Sequence, residues 1–292
     1  MEHRHMRYPG GKLKAVTFSY DDGLFSDIRL AEIFDKYGIK GTFNFNSSFI
    51  PDDSDKERIG VRDVKKYIIE KGHEVANHGY KHIPPAAASP IEAIKDVLFC
   101  RIGLEEKFNM IVRGMAYPSS GILAEFNGNT VEKVKAQLSD LGIVYARTLG
   151  GDNDEFKLPY KDWLAWMPTA HHENPHIFEY IDKFLSINVD ADELDNRTAR
   201  WPRLFFIWGH SSEFDKRNNW DRIEKICELL SGKDDTWYAT NIEIYDYVKA
   251  YEQLVFGAGG TMVYNPTRVK LWFEVDKVLF NVEPGETVRI TA

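Results

Sequence analysis

Short apolar runs alternate with amphipathic stretches along most of the chain. Residues 15–20 (AVTFSY) form an apolar run rich in β-formers, which indicates a buried strand. Residues 26–38 then carry apolar side chains every three or four positions, with Ser26 as a helix N-cap and Gly38 at the end, so they predict a helix. The same alternation predicts further strands at 41–46, 73–78, 112–118, 143–148, 162–170, 203–210 and 236–240, and further helices at 61–72, 91–108, 130–142, 176–186, 219–232 and 242–255.

This alternation predicts the architecture of an α/β protein. Repeated strand–helix units with right-handed crossovers build a parallel sheet or a barrel, and about seven units favour a barrel. The pattern changes after Phe256, where the linker-like GAGG at 257–260 is followed by several short strands separated by turns. We therefore expect a barrel domain over residues 1–256 and a short β-rich extension over residues 257–292 that packs on the barrel.

Composition and charge narrow the class of protein. A hydrophobic fraction of 43% and a net charge of −8 are ordinary for a globular protein, and they give no reason to expect nucleic acid or a membrane as partner. The two cysteines, Cys100 and Cys227, lie in helical stretches and are expected to be buried free thiols. No signal peptide is visible and no apolar run is long enough to span a membrane, so we expect a cytoplasmic protein; the alternative is a mature chain whose leader has been removed. The sequence does not indicate an oligomeric state.

Two adjacent aspartates, Asp21 and Asp22, follow the first predicted strand. Asp22 and Gly23 form a common turn signal, and an aspartate here can cap the next helix, so a turn is one interpretation. The other interpretation is catalytic, because the chemistry of α/β barrels lies at the carboxyl ends of their strands. A bound cation would also relieve the repulsion between two ionised carboxylates.

Imidazole groups follow at the ends of later strands. His78 and His82 in HGYKH have the four-residue spacing of two metal ligands, although two histidines without a ligand can have it too. The other polar residues at predicted strand ends are Tyr117, Ser119, Arg147, His171, His172 and His210. Carboxylates and imidazoles at one rim are the groups that a metal-dependent hydrolase needs. One aspartate would then be the third metal ligand and the other the base.

The motifs SYDDG, HGYKH, AYPSSG and IWGHS, in this order, resemble those of the NodB-type polysaccharide deacetylases, carbohydrate esterase family 4. The resemblance implies a distorted (β/α)7 barrel that acts on an acetylated carbohydrate. It also implies one divalent metal ion, usually Zn2+, with Co2+, Ni2+ or Mn2+ as alternatives.

The resemblance further implies roles for the matching residues. The implied metal ligands are Asp22, His78 and His82. The groups implied to act on the substrate are Asp21 as general base, His210 as general acid and the backbone N–H of Ser119 as part of an oxyanion hole. From their positions near the same rim, we expect four residues to contact substrate: Tyr117, Trp208, His171 and His172.

The chain departs from the family pattern at several positions. Gly79 stands where the family usually has serine or threonine, and Ala116 stands where it usually has the arginine that orients the base. Arg113 or Arg147 could replace that arginine. Arg147 is the stronger candidate because it ends a predicted strand, at a place where the family has an acidic residue. An ordinary ion-pair arginine fits either position as well.

Two further features have no counterpart in the family motifs. Trp208 and Gly209 precede His210, where the family has a leucine that lines an acetyl pocket, so Trp208 either lines the pocket or packs into the core. The pair His171 and His172 either contacts substrate or lies in a solvent-facing loop.

These observations favour a metal-dependent hydrolase that removes N- or O-linked acetyl groups from a carbohydrate. One alternative is a related amidohydrolase that cleaves a non-sugar C–N bond. Another is a catalytically weakened carbohydrate-binding protein. Asp21 separates this last alternative from an enzyme, because a binding protein needs no base.

Overall fold

The computed structural model describes residues 3–119, 121–122, 129–159, 161–189 and 200–290. Its strands are β1 (Arg4–Arg7), β2 (Lys14–Asp21), β3 (Gly41–Phe45), β4 (Glu74–Asn77), β5 (Gly114–Ala116), β6 (Tyr145–Arg147), β7 (Ala170–His171), β8 (Arg203–Gly209), β9 (Thr236–Tyr238), β10 (Val255–Phe256), β11 (Met262–Tyr264), β12 (Leu271–Val275), β13 (Val278–Val282) and β14 (Thr287–Arg289). Its helices are α1 (Asp27–Tyr37), α2 (Val61–Asp63, continued by a π-helical stretch Val64–Ile69), α3 (Pro90–Phe108), α4 (Val131–Asp140), α5 (Ile177–Ser186), α6 (Ser212–Arg217), α7 (Trp220–Leu230) and α8 (Asn241–Tyr251).

Parallel strands form the central sheet, in the order β6-β5-β4-β3-β2-β8-β7, and β9 pairs with the start of β2. Every residue of β2 is buried, because the sheet is covered on both faces. The strands curl into an open barrel, so the predicted distorted (β/α)7 fold is confirmed. This arrangement brings the carboxyl ends of β2, β4, β5, β6 and β8 to one rim.

The prediction of a single strand over residues 162–170 is wrong. It contains a 3-10 turn at Trp163–Ala165, and only Ala170–His171 is strand. The reason lies in its hydrogen bonds: Trp166 exchanges backbone hydrogen bonds with β6 and the residue after it, whereas the N–H of Thr169 donates to β8. The segment therefore crosses from one edge of the sheet to the other, and it cannot pair along its length with either.

The residues after Phe256 form short antiparallel strands, in two sheets with the orders β1-β12-β13 and β10-β11-β14. The strand β1 comes from the other end of the chain and pairs with β12 over its whole length. Leu271, Phe273 and Val275 of β12 lie in one hydrophobic cluster with the barrel residues Leu204 and Phe206. The sheet of the extension thus begins with N-terminal residues, a pairing that the sequence did not indicate.

The cysteines and the length of the helices were two further subjects of the sequence analysis. Cys100 and Cys227 are free and buried, as predicted. Among the described residues, no helix is both long and apolar enough to cross a membrane.

Candidate active site

The end of β2 gives the two adjacent aspartates different surroundings. Asp21 is the last residue of the strand and is only 2% exposed. Asp22 has a φ of 82° and Gly23 a φ of 63°, so the chain turns sharply here. Because of this turn, Asp22 lies partly exposed at the rim while Asp21 stays inside it. The turn and the catalytic interpretation of the sequence are therefore compatible, because the turn itself presents the two carboxylates at the rim.

Asp22 lies between the two histidines of the HGYKH segment. Its Oδ1 is 3.6 Å from Nε2 of His78 and 3.5 Å from Nε2 of His82. Two donors bound to zinc at 2.0–2.2 Å with a tetrahedral angle lie about 3.4 Å apart. Both distances therefore match those between ligands of one shared cation, and all three donor atoms lie within 4.8 Å of one another, so the residues fit a divalent metal.

The surroundings of His78 determine which of its nitrogens is free. Its Nδ1 lies 2.9 Å from the backbone carbonyl of Ala116, so Nδ1 carries the proton and donates it to that oxygen. The lone pair is then on Nε2, which faces Asp22. Burial lowers the pKa of His78, which favours the neutral imidazole that a metal needs.

The loop between the two histidines is held by Asp96 of α3. Its carboxylate accepts the N–H of Lys81 at 2.7 Å and that of Ile83 at 3.2 Å. Gly79 has a φ of 80°, and a Cβ on it would lie 2.2 Å from Oδ2 of Asp96. The glycine is therefore required by the close approach of this carboxylate, which ties the loop in place without a hydroxyl at position 79.

Arg147, and not Arg113, contacts the candidate base. Its Nη2 donates to Oδ2 of Asp21, whose Oδ1 accepts from Nδ2 of Asn44 at 2.9 Å. Arg113 instead pairs with Asp246 at 2.6 Å on the surface. Burial alone would raise the pKa of Asp21, but the Arg147 guanidinium, assisted by nearby imidazoles, holds that pKa below its usual value. Asp21 is therefore an ionised carboxylate at neutral pH.

His210 follows β8 and faces both aspartates. Its Nε2 is 4.0 Å from Oδ2 of Asp21 and 3.9 Å from Oδ2 of Asp22, and its Nδ1 is 3.7 Å from Oε1 of Glu213. Burial lowers the pKa of His210, but the three carboxylates outweigh burial and raise it to about 8. The imidazole can therefore carry a proton for donation at neutral pH.

Ser119 lies beside the histidine loop. It has a φ of 50°, and its hydroxyl is 3.4 Å from Nδ1 of His82. Its backbone N–H has no hydrogen-bond acceptor among the residues that the structure describes. This donor is thus available to a ligand at the rim.

The structure contradicts two of the four expected substrate contacts, those of Tyr117 and His172. The hydroxyl of Tyr117 donates to the carbonyl of Leu164 at 2.8 Å, and Tyr117 is 1% exposed. His172 is 0% exposed and stacks on Tyr20, with 5.6 Å between ring centroids. Neither side chain is accessible to substrate, because both point from their strand ends into packed interior.

The other two expected contacts remain at the rim. Trp208 is partly exposed, and its ring lies 4.5 Å from the guanidinium carbon of Arg147. His171 is partly exposed, with its ring 4.7 Å from that of Trp208. The indole of Trp208 therefore covers the buried arginine on its solvent side. This position lies between the two alternatives from the sequence, which were lining of the acetyl pocket and packing into the core.

The structure adds three site residues that the sequence analysis missed: Asn44, Asp96 and Glu213. Asn44 had a detectable signal, since Thr42, Asn44 and Asn46 alternate with phenylalanines in a buried strand and so share its inner face. Glu213 lies three residues after His210, at the start of the helix α6 that the sequence analysis did not predict.

The fold is an α/β barrel, and its rim carries a candidate mononuclear metal centre. A sequence model of the polysaccharide deacetylase family matches residues 4–143. This match agrees with the resemblance to the NodB-type polysaccharide deacetylases that the motifs predicted. No curated protein matches the chain significantly. The family match supports the removal of acetyl groups from a carbohydrate as the class of reaction.

Solved structures agree with this fold. A protein from Mycobacterium smegmatis assigned as a polysaccharide deacetylase is 19% identical, with a TM-score of 0.52 over 85% of this chain and 94% of its own. A carbohydrate esterase family 4 domain of a xylanase from the hindgut metagenome of Trinervitermes trinervoides is 15% identical, with a TM-score of 0.50 over 82% and 92%. A Streptococcus pyogenes deacetylase in complex with acetate is 18% identical, with a TM-score of 0.43, and the match covers 51% of this chain and 61% of that one. At these identities, the first two show a shared fold.

Proposed function

We propose that this protein is a metal-dependent hydrolase that removes N- or O-linked acetyl groups from an acetylated carbohydrate. One observation carries the proposal: three donor atoms with the spacing of a shared cation adjoin a buried aspartate that an arginine keeps ionised. A deacetylase needs both a site for the cation and a base beside it.

Asp22, His78 and His82 would hold the metal. Two imidazoles and one carboxylate suit zinc first, and Co2+, Ni2+ and Mn2+ are the alternatives. When bound, the cation would polarise the acetyl carbonyl and lower the pKa of a water molecule to about 7. A set of three protein ligands also leaves a coordination position open.

Asp21 acts as the general base in this proposal. Its carboxylate is ionised and oriented by Arg147 and Asn44, and its oxygens keep lone pairs for a water proton. It takes a proton from the water that attacks the acetyl carbon. The buried pair supports this role, since an arginine that fixes the carboxylate and keeps it ionised leaves it ready to accept a proton.

His210 and Ser119 serve the later steps. The backbone N–H of Ser119 donates to the oxyanion that forms at the acetyl carbon; such a donor is worth roughly 10²–10³ in rate. His210 donates its Nε2 proton to the departing nitrogen or oxygen as the bond to the acetyl carbon breaks. Its position across from Asp21, at 4.0 Å, lets both side chains reach one acetyl group.

The ionised Asp21 favours an enzyme over a binding protein. A protein that only binds carbohydrate has no use for a buried, arginine-paired carboxylate, which costs free energy to desolvate. A related amidohydrolase that cleaves a non-sugar C–N bond would use the same residues, so the substrate has to decide between these two enzymes.

Acetate release from a small panel tests the proposal. The panel contains acetylated xylo-oligosaccharides, acetylated chito-oligosaccharides and an aryl acetate, each with and without chelator. We expect acetate from at least one sugar, abolished by chelator and restored by Zn2+ or Co2+. Acetate from no sugar, or release that is insensitive to chelator, would contradict the proposal.

Metal content tests the ligand assignment separately. We expect the protein to bind one equivalent of zinc and the double variant His78→Ala, His82→Ala to bind none. Zinc retained at the wild-type level by the double variant would show that the ligands lie elsewhere.

A further inference from the structure

A second group of titratable side chains adjoins the site and centres on Glu213 of α6. Its Oε1 is 3.7 Å from Nδ1 of His210. Its Oε2 is 3.1 Å from Nε2 of His171 and 3.2 Å from Nε2 of His172. One carboxylate therefore meets three imidazoles, and the mechanism above uses only one of them.

The backbone fixes Glu213 beside His210. The N–H of Glu213 donates to the carbonyl of His210 at 3.1 Å, and the N–H of His210 approaches Oε2 of Glu213 at 3.4 Å. These contacts form the first turn of α6 directly at the end of β8. The carboxylate thus approaches His210 from the side opposite the two aspartates, which face Nε2.

The protonation of His171 distinguishes this cluster from a metal site. His171, His210 and Glu213 have donor atoms close enough for a shared ion. However, Nδ1 of His171 accepts the N–H of Glu173 at 3.1 Å, so the imidazole proton is on Nε2, the nitrogen that faces Glu213. His78 has the reverse arrangement, with Nε2 free. His171 therefore offers a proton to the carboxylate and no lone pair to a metal.

The room for His172 comes from a glycine. A Cβ on Gly209 would lie 2.0 Å from Nδ1 of His172. The missing side chain lets the imidazole pack at the end of β8, between Tyr20 and Phe214, with ring centroids at 5.6 and 4.2 Å. In this buried position Nε2 of His172 lies 3.2 Å from Oε2 of Glu213, so Gly209 is part of the same arrangement.

We infer that Glu213 is the positioning residue of His210, and that His171 and His172 hold its second oxygen in place. The inference rests on the proposed function, in which His210 is the general acid. His210 gives its Nε2 proton to the leaving atom, which keeps the electron pair of the broken C–O or C–N bond. Glu213 takes no part in the bond changes, and it orients the ring so that Nε2 faces the reaction centre.

The test compares two leaving groups in the variant Glu213→Gln. A sugar alkoxide or amine leaves only if it is protonated, whereas the phenolate of 4-nitrophenyl acetate leaves without a proton. We expect kcat/KM for acetylated xylo- or chito-oligosaccharide to fall by about 10²-fold, mainly through kcat, and that for the aryl acetate to change by less than about threefold. The control Glu228→Gln removes a carboxylate of an exposed ion pair with Lys225 and should leave both rates unchanged.

Gly209→Ala provides a second variant that leaves Glu213 in place. Its methyl group displaces His172, so we expect the same selective loss on the sugar at a smaller size. Zinc content gives a readout apart from activity: His171→Ala should keep the single equivalent that the wild type binds.

Several results would overturn the inference. If the wild type releases acetate and Glu213→Gln changes kcat/KM for the sugar and the aryl acetate by the same factor, this inference is wrong and the proposed function still stands. A second zinc equivalent in the wild type that His171→Ala loses would replace it with a metal site. No acetate release by the wild type would overturn the proposed function and this inference with it.

Discussion

Replacing Arg147 by methionine tests the support of Asp21 most sharply. The arginine side chain is 0% exposed and its partner 3%, so the pair lies away from the screening of water. Removing one member of a buried pair leaves the other charge uncompensated, which typically costs about 3 to 5 kcal/mol of stability. We expect this loss in urea unfolding followed by circular dichroism, with chelator present so that no cation compensates Asp21.

Two companion variants show whether the charge is the cause. Arg113→Met removes an ion pair whose members are 36% and 48% exposed, so it should cost at most about 1 kcal/mol. Arg147→Met combined with Asp21→Asn leaves no unpaired buried charge, so it should be more stable than Arg147→Met alone by about 1 to 3 kcal/mol. If the Arg147 and Arg113 variants lose equal stability, or the double variant regains none, the buried pair does not have the role given to it.

Two further predictions concern the scaffold. Gly79→Ala places a methyl group 2.2 Å from Asp96, whereas Gly232→Ala adds one at a similar positive φ with nothing within 4 Å. We expect Gly232→Ala to lower the free energy of unfolding by about 1 kcal/mol. Gly79→Ala should lower it further and weaken zinc binding about 10- to 100-fold, as measured by competition with a chelating dye. Equal effects of the two variants would refute the role of Asp96. Burial raises the pKa of Glu74 to about 7, so its contribution to stability is complete below pH ~4.5 and is lost as pH rises through about 7. Glu74→Gln should therefore flatten the fall in the urea midpoint between pH 5 and 8, and an unchanged slope would contradict the raised pKa.

The sequence could locate the candidate site because strand ends are visible in it. Asp21 and Asp22, His78 and His210 each follow an apolar run, and parallel strands bring their carboxyl ends to one rim. Arg147 was a candidate for the same reason, because it lies at the carboxyl end of a predicted strand. Motif spacing added which of these residues would bind a cation.

The sequence could not show contacts that depend on the path of the chain between elements. A Cβ at position 79 would clash with Asp96, and a Cβ at position 209 would clash with His172. The burial of Tyr117 and His172 depends on which way a side chain points after its strand has ended, where the two-residue alternation no longer applies. The pairing of β1 with β12 joins opposite ends of the chain, and short strands carry no local signal of their partner.

Asp21→Asn, assayed for acetate release and zinc content on the same sample, tests the central claim most directly. The substitution keeps the size of the side chain and leaves Asp22, His78 and His82 untouched. We predict that the variant keeps one equivalent of zinc and releases acetate from the acetylated oligosaccharide about 10²–10⁴-fold more slowly than the wild type. Acetate release at the wild-type rate, with zinc still bound, would contradict the assignment of Asp21 as the base.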